Sequence, residues 1–192
     1  MPSSTRQTVV VVLVVVLLSW PLPDAAHAAA GDLDNTFDSG KVTANIRLSE
    51  SASAVAIQPD GKIVAAGFTI GPGASSFALV RYNIDGALDA TFGSAGIVTT
   101  DFDLGSGASD LVIQPDGKIL AGGTAFSNNS NTLDFAIVRY NANGSLDSNF
   151  GSGGKVITDF FGSTDQATAI ALQSDGKIVL GGSAFNPAPP YL

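Results

Sequence analysis

The sequence predicts an all-β protein made of tandem four-stranded antiparallel units, and three observations carry that expectation. The first is repetition. Gln58-Pro59-Asp60-Gly61-Lys62-Ile63 returns as Gln114-Pro115-Asp116-Gly117-Lys118-Ile119 and again as Gln173-Ser174-Asp175-Gly176-Lys177-Ile178. The spacings of 56 and 59 residues make the chain an array of one supersecondary unit. The second is turn chemistry. Asp60-Gly61, Asp85-Gly86, Asp116-Gly117, Asn143-Gly144 and Asp175-Gly176 each separate apolar runs, the strongest short hairpin signal, and predict type I′ turns with positive φ at both central residues. The third is alternation. Val55 and Ile57 oppose Ala54 and Ala56, and Ile170 and Leu172 oppose Ala169 and Ala171, so strands with two apolar faces are expected to lie between neighbouring sheets.

The first 30 residues stand apart from the array. Arg6 precedes an unbroken apolar run from Val9 to Leu18, followed by Pro21, Pro23 and Ala26-His27-Ala28-Ala29-Ala30. A basic start, a short apolar core and a small-residue end predict a secretory signal peptide. The run is about half the ~20 residues a spanning helix needs. Residues 31–192 then divide into approximate units 31–85, 86–143 and 144–192. Leu33-Asp34-Asn35-Thr36-Phe37, Leu88-Asp89-Ala90-Thr91-Phe92 and Leu146-Asp147-Ser148-Asn149-Phe150 open them. Each opening leads into a strand-like segment, Lys41 to Ile46, Ile97 to Phe102 or Lys155 to Phe160. A second run, ending at Ile57, Ile113 or Leu172, reverses at Asp-Gly into a third, Ile63 to Gly67, Ile119 to Gly123 or Ile178 to Gly182. The third closes on Ala66-Gly67, Gly122-Gly123 or Gly181-Gly182, and glycine inside a strand marks a bulge or a close backbone approach. A fourth run, Phe77 to Tyr82 or Phe135 to Tyr140, leads to the next turn.

Four-stranded sheets stacked face to face describe the blades of a β-propeller, with a β-sandwich as the alternative that would not require such regular repetition. Closed propellers have ~4–8 blades, and this chain holds fewer than three full ones. The third unit reaches Gly181-Gly182-Ser183-Ala184-Phe185 and then Asn186-Pro187-Ala188-Pro189-Pro190, without its Phe-Ala-x-Val-Arg-Tyr strand. The expectation is a propeller incomplete in this chain, with apolar end faces that favour self-association or further downstream blades.

Phe77-Ala78-Leu79-Val80-Arg81-Tyr82-Asn83, followed by Asp85-Gly86-Ala87-Leu88-Asp89 and Phe92-Gly93, together with the Gln-Pro-Asp-Gly-Lys-Ile turns, resembles the delta-60 repeat. The resemblance covers essentially everything after the leader. It implies an exported bacterial protein with propeller blades and no shared biochemical activity.

Composition narrows the chemistry. Of nine Lys or Arg and seventeen Asp or Glu, Arg6 and Asp24 precede Gly31, which leaves eight against sixteen. His27, Trp20 and Met1 also fall in the leader, and the chain has no cysteine. The remainder offers no thiol nucleophile, no histidine base and no disulfide framework. Its negative charge argues against nucleic acid or an anionic membrane as partner. A protein or carbohydrate ligand is the open expectation, in an extracellular or periplasmic setting.

Asp101, Asp103 and Asp110 are the candidate metal ligands, because clustered carboxylates suit Ca2+. The full calcium-loop signature with its bidentate Glu is absent, so solvated turn acids are the competing reading, and the third unit carries Asp159-Phe160-Phe161 at the matching place. Arg81 and Arg139 are expected to pair with Asp89 and Asp147, since a guanidinium favours carboxylate. Lys62, Lys118 and Lys177, at hairpin exits, are expected to be solvated. No residue is expected to be catalytic. Three functions follow: a non-enzymatic exported propeller that scaffolds or binds, part of a propeller enzyme of lyase or lactonase type whose active centre lies outside this segment, and a calcium-stabilised structural repeat.

Overall fold

A computed structural model describes residues 32–102, 104–126 and 132–187, so the predicted leader, and Asp103 with it, lie outside the described residues. The chain is all-β, as expected. The first sheet pairs β1 (Ser49–Ile57), β2 (Ile63–Ile70), β3 (Ser75–Tyr82) and β4 (Ile97–Thr100) in that order. The second pairs β5 (Ser106–Ile113), β6 (Ile119–Phe126), β7 (Leu133–Tyr140) and β8 (Lys155–Thr158). The third pairs β9 (Asp165–Leu172) with β10 (Ile178–Ala184). Every pairing is antiparallel. β1 packs on β5 and β5 on β9, so the first strands of successive sheets lie side by side, as in propeller blades.

Sheets and sequence repeats are out of phase. The segment that opens each repeat, Ile97 onward or Lys155 onward, becomes the outer strand of the sheet before it. Lys41 to Ile46 occupies the same place in the first repeat, yet it forms no strand. A strand needs a ladder, and no β3-like partner precedes it among the described residues. Instead Phe37, Val42, Ala44 and Ile46 pack over Ile63, Val80 and Tyr82 of the first sheet. That apolar cover partly closes a face expected to be bare.

The inner strands interlock in one direction. Leu111 and Ile113 of β5 face the first sheet, where Ala54 and Ala56 of β1 receive them alongside Val64, Leu79, Phe77 and Phe92. Ile170 and Leu172 of β9 face the second sheet, while Ala169 and Ala171 are exposed. β1 and β9 therefore turn their large residues back and their small ones forward, while β5 turns Leu111 and Ile113 back and packs Val112 forward against the third sheet. Ile170 and Leu172 are therefore covered and do not contribute to the apolar end face expected of the stack. Among the large residues left in solvent are Val55, 49% exposed, and Ile57, 66% exposed, on β1, and Val179 on β10.

The strand glycines mark bulges. Register slips between Ala52 and Ala54 in β1, between Ala108 and Asp110 in β5, and between Ala167 and Ala169 in β9. Opposite each slip stands Gly67, Gly123 or Gly182, where a Cβ would overlap the carbonyl oxygen of Ser51, Gly107 or Gln166.

The hairpin turns differ from the predicted type. Gly61 N–H donates to the Gln58 carbonyl at 2.9 Å and Gln58 N–H to the Lys62 carbonyl at 2.8 Å. Gly61 has φ 83°, but Asp60 is not among the residues of positive φ. That is a type I turn closed by a left-handed glycine, repeated at Gly117 and Gly176 with φ 80° and 85°. Register supplies the reason: Ile57 pairs with Ile63 and Gln58 N–H bonds to the Lys62 carbonyl, which leaves a three-residue loop rather than two, and such loops favour a type I turn followed by a left-handed residue. The Asp side chain reinforces the turn, as Lys62 N–H donates to Asp60 Oδ1 at 3.1 Å.

Candidate functional site

Two equivalent clusters absorb most of the repeated charge. Arg81 on β3 is 5% exposed and Asp89, just past the next turn, is 3% exposed. Arg81 Nε donates to Asp89 Oδ2 at 2.7 Å, and Lys62 Nζ reaches the same oxygen at 2.8 Å. The Thr91 hydroxyl and N–H donate to Asp89 Oδ1 at 2.6 and 3.0 Å. Burial opposes the Asp89 charge, but the bonds from Lys62 and Thr91, with the Arg81 charge beside it, outweigh burial and hold its carboxyl well below the usual carboxylate range. The guanidinium also lies 4.5 Å over the Phe92 ring, and its Nη1 donates to the Ala142 carbonyl at 2.5 Å. Ala142 sits in a turn of the second sheet, so one side chain ties a strand, its own turn and the next blade.

The second sheet repeats the arrangement. Arg139 Nε donates to Asp147 Oδ2 at 2.8 Å, Lys118 Nζ approaches it at 3.2 Å, and Arg139 lies 4.4 Å over Phe150. Burial again works against the charge, and bonds from the Asn149 N–H and Lys118, with the charges of Arg139 and Lys118, lower the Asp147 carboxyl. The expected Arg–Asp pairs are present, formed through Nε and shared with a lysine. Lys62 and Lys118 are not the solvated residues expected, because the turn folds each of them back over a buried aspartate. Lys177, paired only with Asp175, remains largely exposed; its repeat has no counterpart of Asp89 or Asp147 among the described residues.

The sequence-derived metal candidates fall in separate places. Asp101, just past β4, accepts from Arg47 Nη2 at 3.4 Å and from the Ser76 hydroxyl. Asp110 accepts from its neighbour Leu111 N–H at 2.8 Å and, through Oδ2, from Ile170 N–H at 2.9 Å. The carboxylate that breaks the repeat pattern thus joins β5 to β9 at the bulge, across the blade boundary.

Another acidic group lies nearby in the fold. Asp134 near the start of β7, Asp159 just past β8 and Asp165 at the start of β9 each bring a carboxylate oxygen within 4.8 Å of the others. Asp134 and Asp165 are fully buried and Asp159 is exposed. The sequence carried a signal for them: in register they replace Ser76, Asp101 and Ser106 of the preceding repeat. Spread over 32 positions, however, they form no local motif. A separate open cleft lies beside β4, lined by Asn45, Arg47, Ser94, Thr99, Asn143 and Ser145. It holds none of these carboxylates.

No curated protein matches the chain. A family model described as a beta-propeller domain of unknown function (DUF5122) matches residues 58–92, 114–150 and 173–188. Each stretch begins at the glutamine of the repeated hexapeptide, Gln58, Gln114 or Gln173. The match and the stacked antiparallel sheets together make this chain a β-propeller repeat protein.

Proposed function

We propose that the protein is an exported, non-enzymatic propeller of the delta-60 kind that serves as a scaffold or binding module. The observation that carries this reading is the Arg81 cluster. The Arg, Asp and Lys that recur in the first two repeats pair within the fold, and Nη1 of Arg81 is committed to the next blade at Ala142. Charges that recur with a supersecondary unit and bond across its boundary hold an array together. Export rests on Arg6, the run from Val9 to Leu18 and the Ala28-Ala29-Ala30 end.

Two measurements test the two halves of the reading. Lys118→Met is expected to lower the melting temperature by about 2–4 °C, the shift that ~1 kcal/mol produces in a chain of this size. A binding lysine would instead leave the midpoint unchanged or raise it, since functional residues are commonly held at a cost to stability. N-terminal sequencing of material recovered outside the cytoplasm is expected to begin between Ala29 and Gly31. Material that begins at Met1 and stays in the cytoplasm would remove export from the proposal.

A further inference from the structure

We infer that Asp134, Asp159 and Asp165 form a Ca2+ site that fastens the second blade to the third. The three oxygens lie within 4.8 Å of one another. Ca2+ holds oxygen ligands at about 2.3–2.6 Å, so ligands on opposite sides of one ion stand about 4.6–5.2 Å apart. One ion can therefore touch all three.

The second observation is independent of the clustering. Asp165 is fully buried; its Oδ2 accepts from Phe160 N–H at 2.8 Å, and its Oδ1, also buried, has no hydrogen-bond partner. Neither Asp159 nor Asp165 takes part in an ion pair among the described residues. A buried carboxylate oxygen without a donor destabilises the fold unless a cation meets it. Asp159, the exposed member, leaves the group open to solvent on one side.

The sister site between the first and second blades shows that the fold itself does not require these acids. There the same three places hold Ser76, Asp101 and Ser106. The single carboxylate is met by Arg47, whose Nη1 also donates to Ser76 Oγ at 3.0 Å. One boundary is thus closed by an internal cation, and at the other two serines are replaced by aspartates. The oxygens come from β7, the loop after β8 and the start of β9, separate backbone elements with adjustable spacing. That suits Ca2+, which accepts six to eight oxygens in flexible geometry, better than Mg2+, which demands a near-ideal octahedron. Backbone carbonyls and water would complete the shell. The site does not depend on export.

The test is thermal unfolding of the chelator-stripped chain, titrated with CaCl2 or MgCl2, with calorimetric titration alongside. Ca2+ at a hundredfold excess over its Kd is expected to raise the midpoint by about 5–10 °C with one ion bound per chain. Mg2+ is expected to do markedly less. Asp159→Asn, at an exposed position that leaves the fold intact, is expected to weaken Ca2+ binding at least tenfold and remove the shift. Asp165→Asn is expected to remove the shift while raising the midpoint of the ion-free protein, and Asp101→Asn to leave the shift in place. No calcium-dependent shift, an equal shift with Mg2+, or a shift that survives Asp159→Asn would overturn the assignment, as would one lost in Asp101→Asn alone.

Discussion

Replacing Arg81 with alanine is expected to cost about 3–5 kcal/mol of folding stability, the loss that follows when one partner of a buried ion pair is removed and the other stays buried. Asp89 would keep only Lys62 and the bonds from Thr91, while the Phe92 ring and the Ala142 carbonyl would each lose a cation. Arg81→Lys is expected to rescue little, because an ammonium cannot donate to Asp89 and Ala142 along two separated directions. Denaturant midpoints would measure both variants.

The same cluster sets an acid limit. The folded state holds the Asp89 carboxyl below its ordinary value, so the unfolded chain binds the proton first as pH falls. Stability from this group is complete above the usual carboxylate pKa of about 4 and is lost as pH drops through and below it. The gap in midpoint between the wild type and Arg81→Ala should therefore be full at pH 7, narrow only as pH falls well below ~4, and close as it passes the depressed folded value. An Arg81→Ala protein as stable as wild type at neutral pH would mean that the guanidinium is not what makes burial of Asp89 tolerable.

Gly123→Ala is expected to cost about 3 kcal/mol, at the upper end for overpacking a well-filled site. The new methyl would overlap the Gly107 carbonyl oxygen and stand 2.8 Å from Ala108 Cα, both of them backbone and unable to step aside without closing the bulge. Gly181→Ala provides the contrast. A Cβ there meets nothing within 4 Å, and the change should stay within about 0.5 kcal/mol. Equal losses at the two positions would show that glycine is kept in these strands for reasons other than the bulge.

Features that depend on near neighbours in sequence were legible. Alternation placed β2, β3, β6 and β7 within a few residues, the Asp-Gly dipeptides located the reversals, and Gly123 announced a close backbone approach. The turn type was not legible from Asp60-Gly61 alone, because the loop also takes in Pro59, or Ser174 in the third repeat, and a three-residue loop favours a different turn from a two-residue one. The phase of the sheets was not legible at all. Nothing in Ile97-Val98-Thr99-Thr100 says whether it pairs backward with β3 or forward with β5, and the pairing that won is the one that leaves Gly96 and the buried Phe92 at the intervening turn. Lys62 was misjudged for a similar reason: an exit from a hairpin is solvated unless a later segment folds over it, and Asp89 arrives from 27 residues away. Asp165 and Asp134 become neighbours only when the third sheet docks on the second.

The one-way interlock of the inner strands has a consequence for symmetry. A surface that presents Val55 and Ile57 at one end and Ala169 and Ala171 at the other has a plug and a socket. Two such stacks meeting through a two-fold axis would set plug against plug or socket against socket. Only translation or rotation that carries every copy the same way sets plug into socket, and such contacts either close into a ring or run on as a fibre. The residues that keep successive blades in register within one chain thus also decide that contact between chains through these two faces is head to tail.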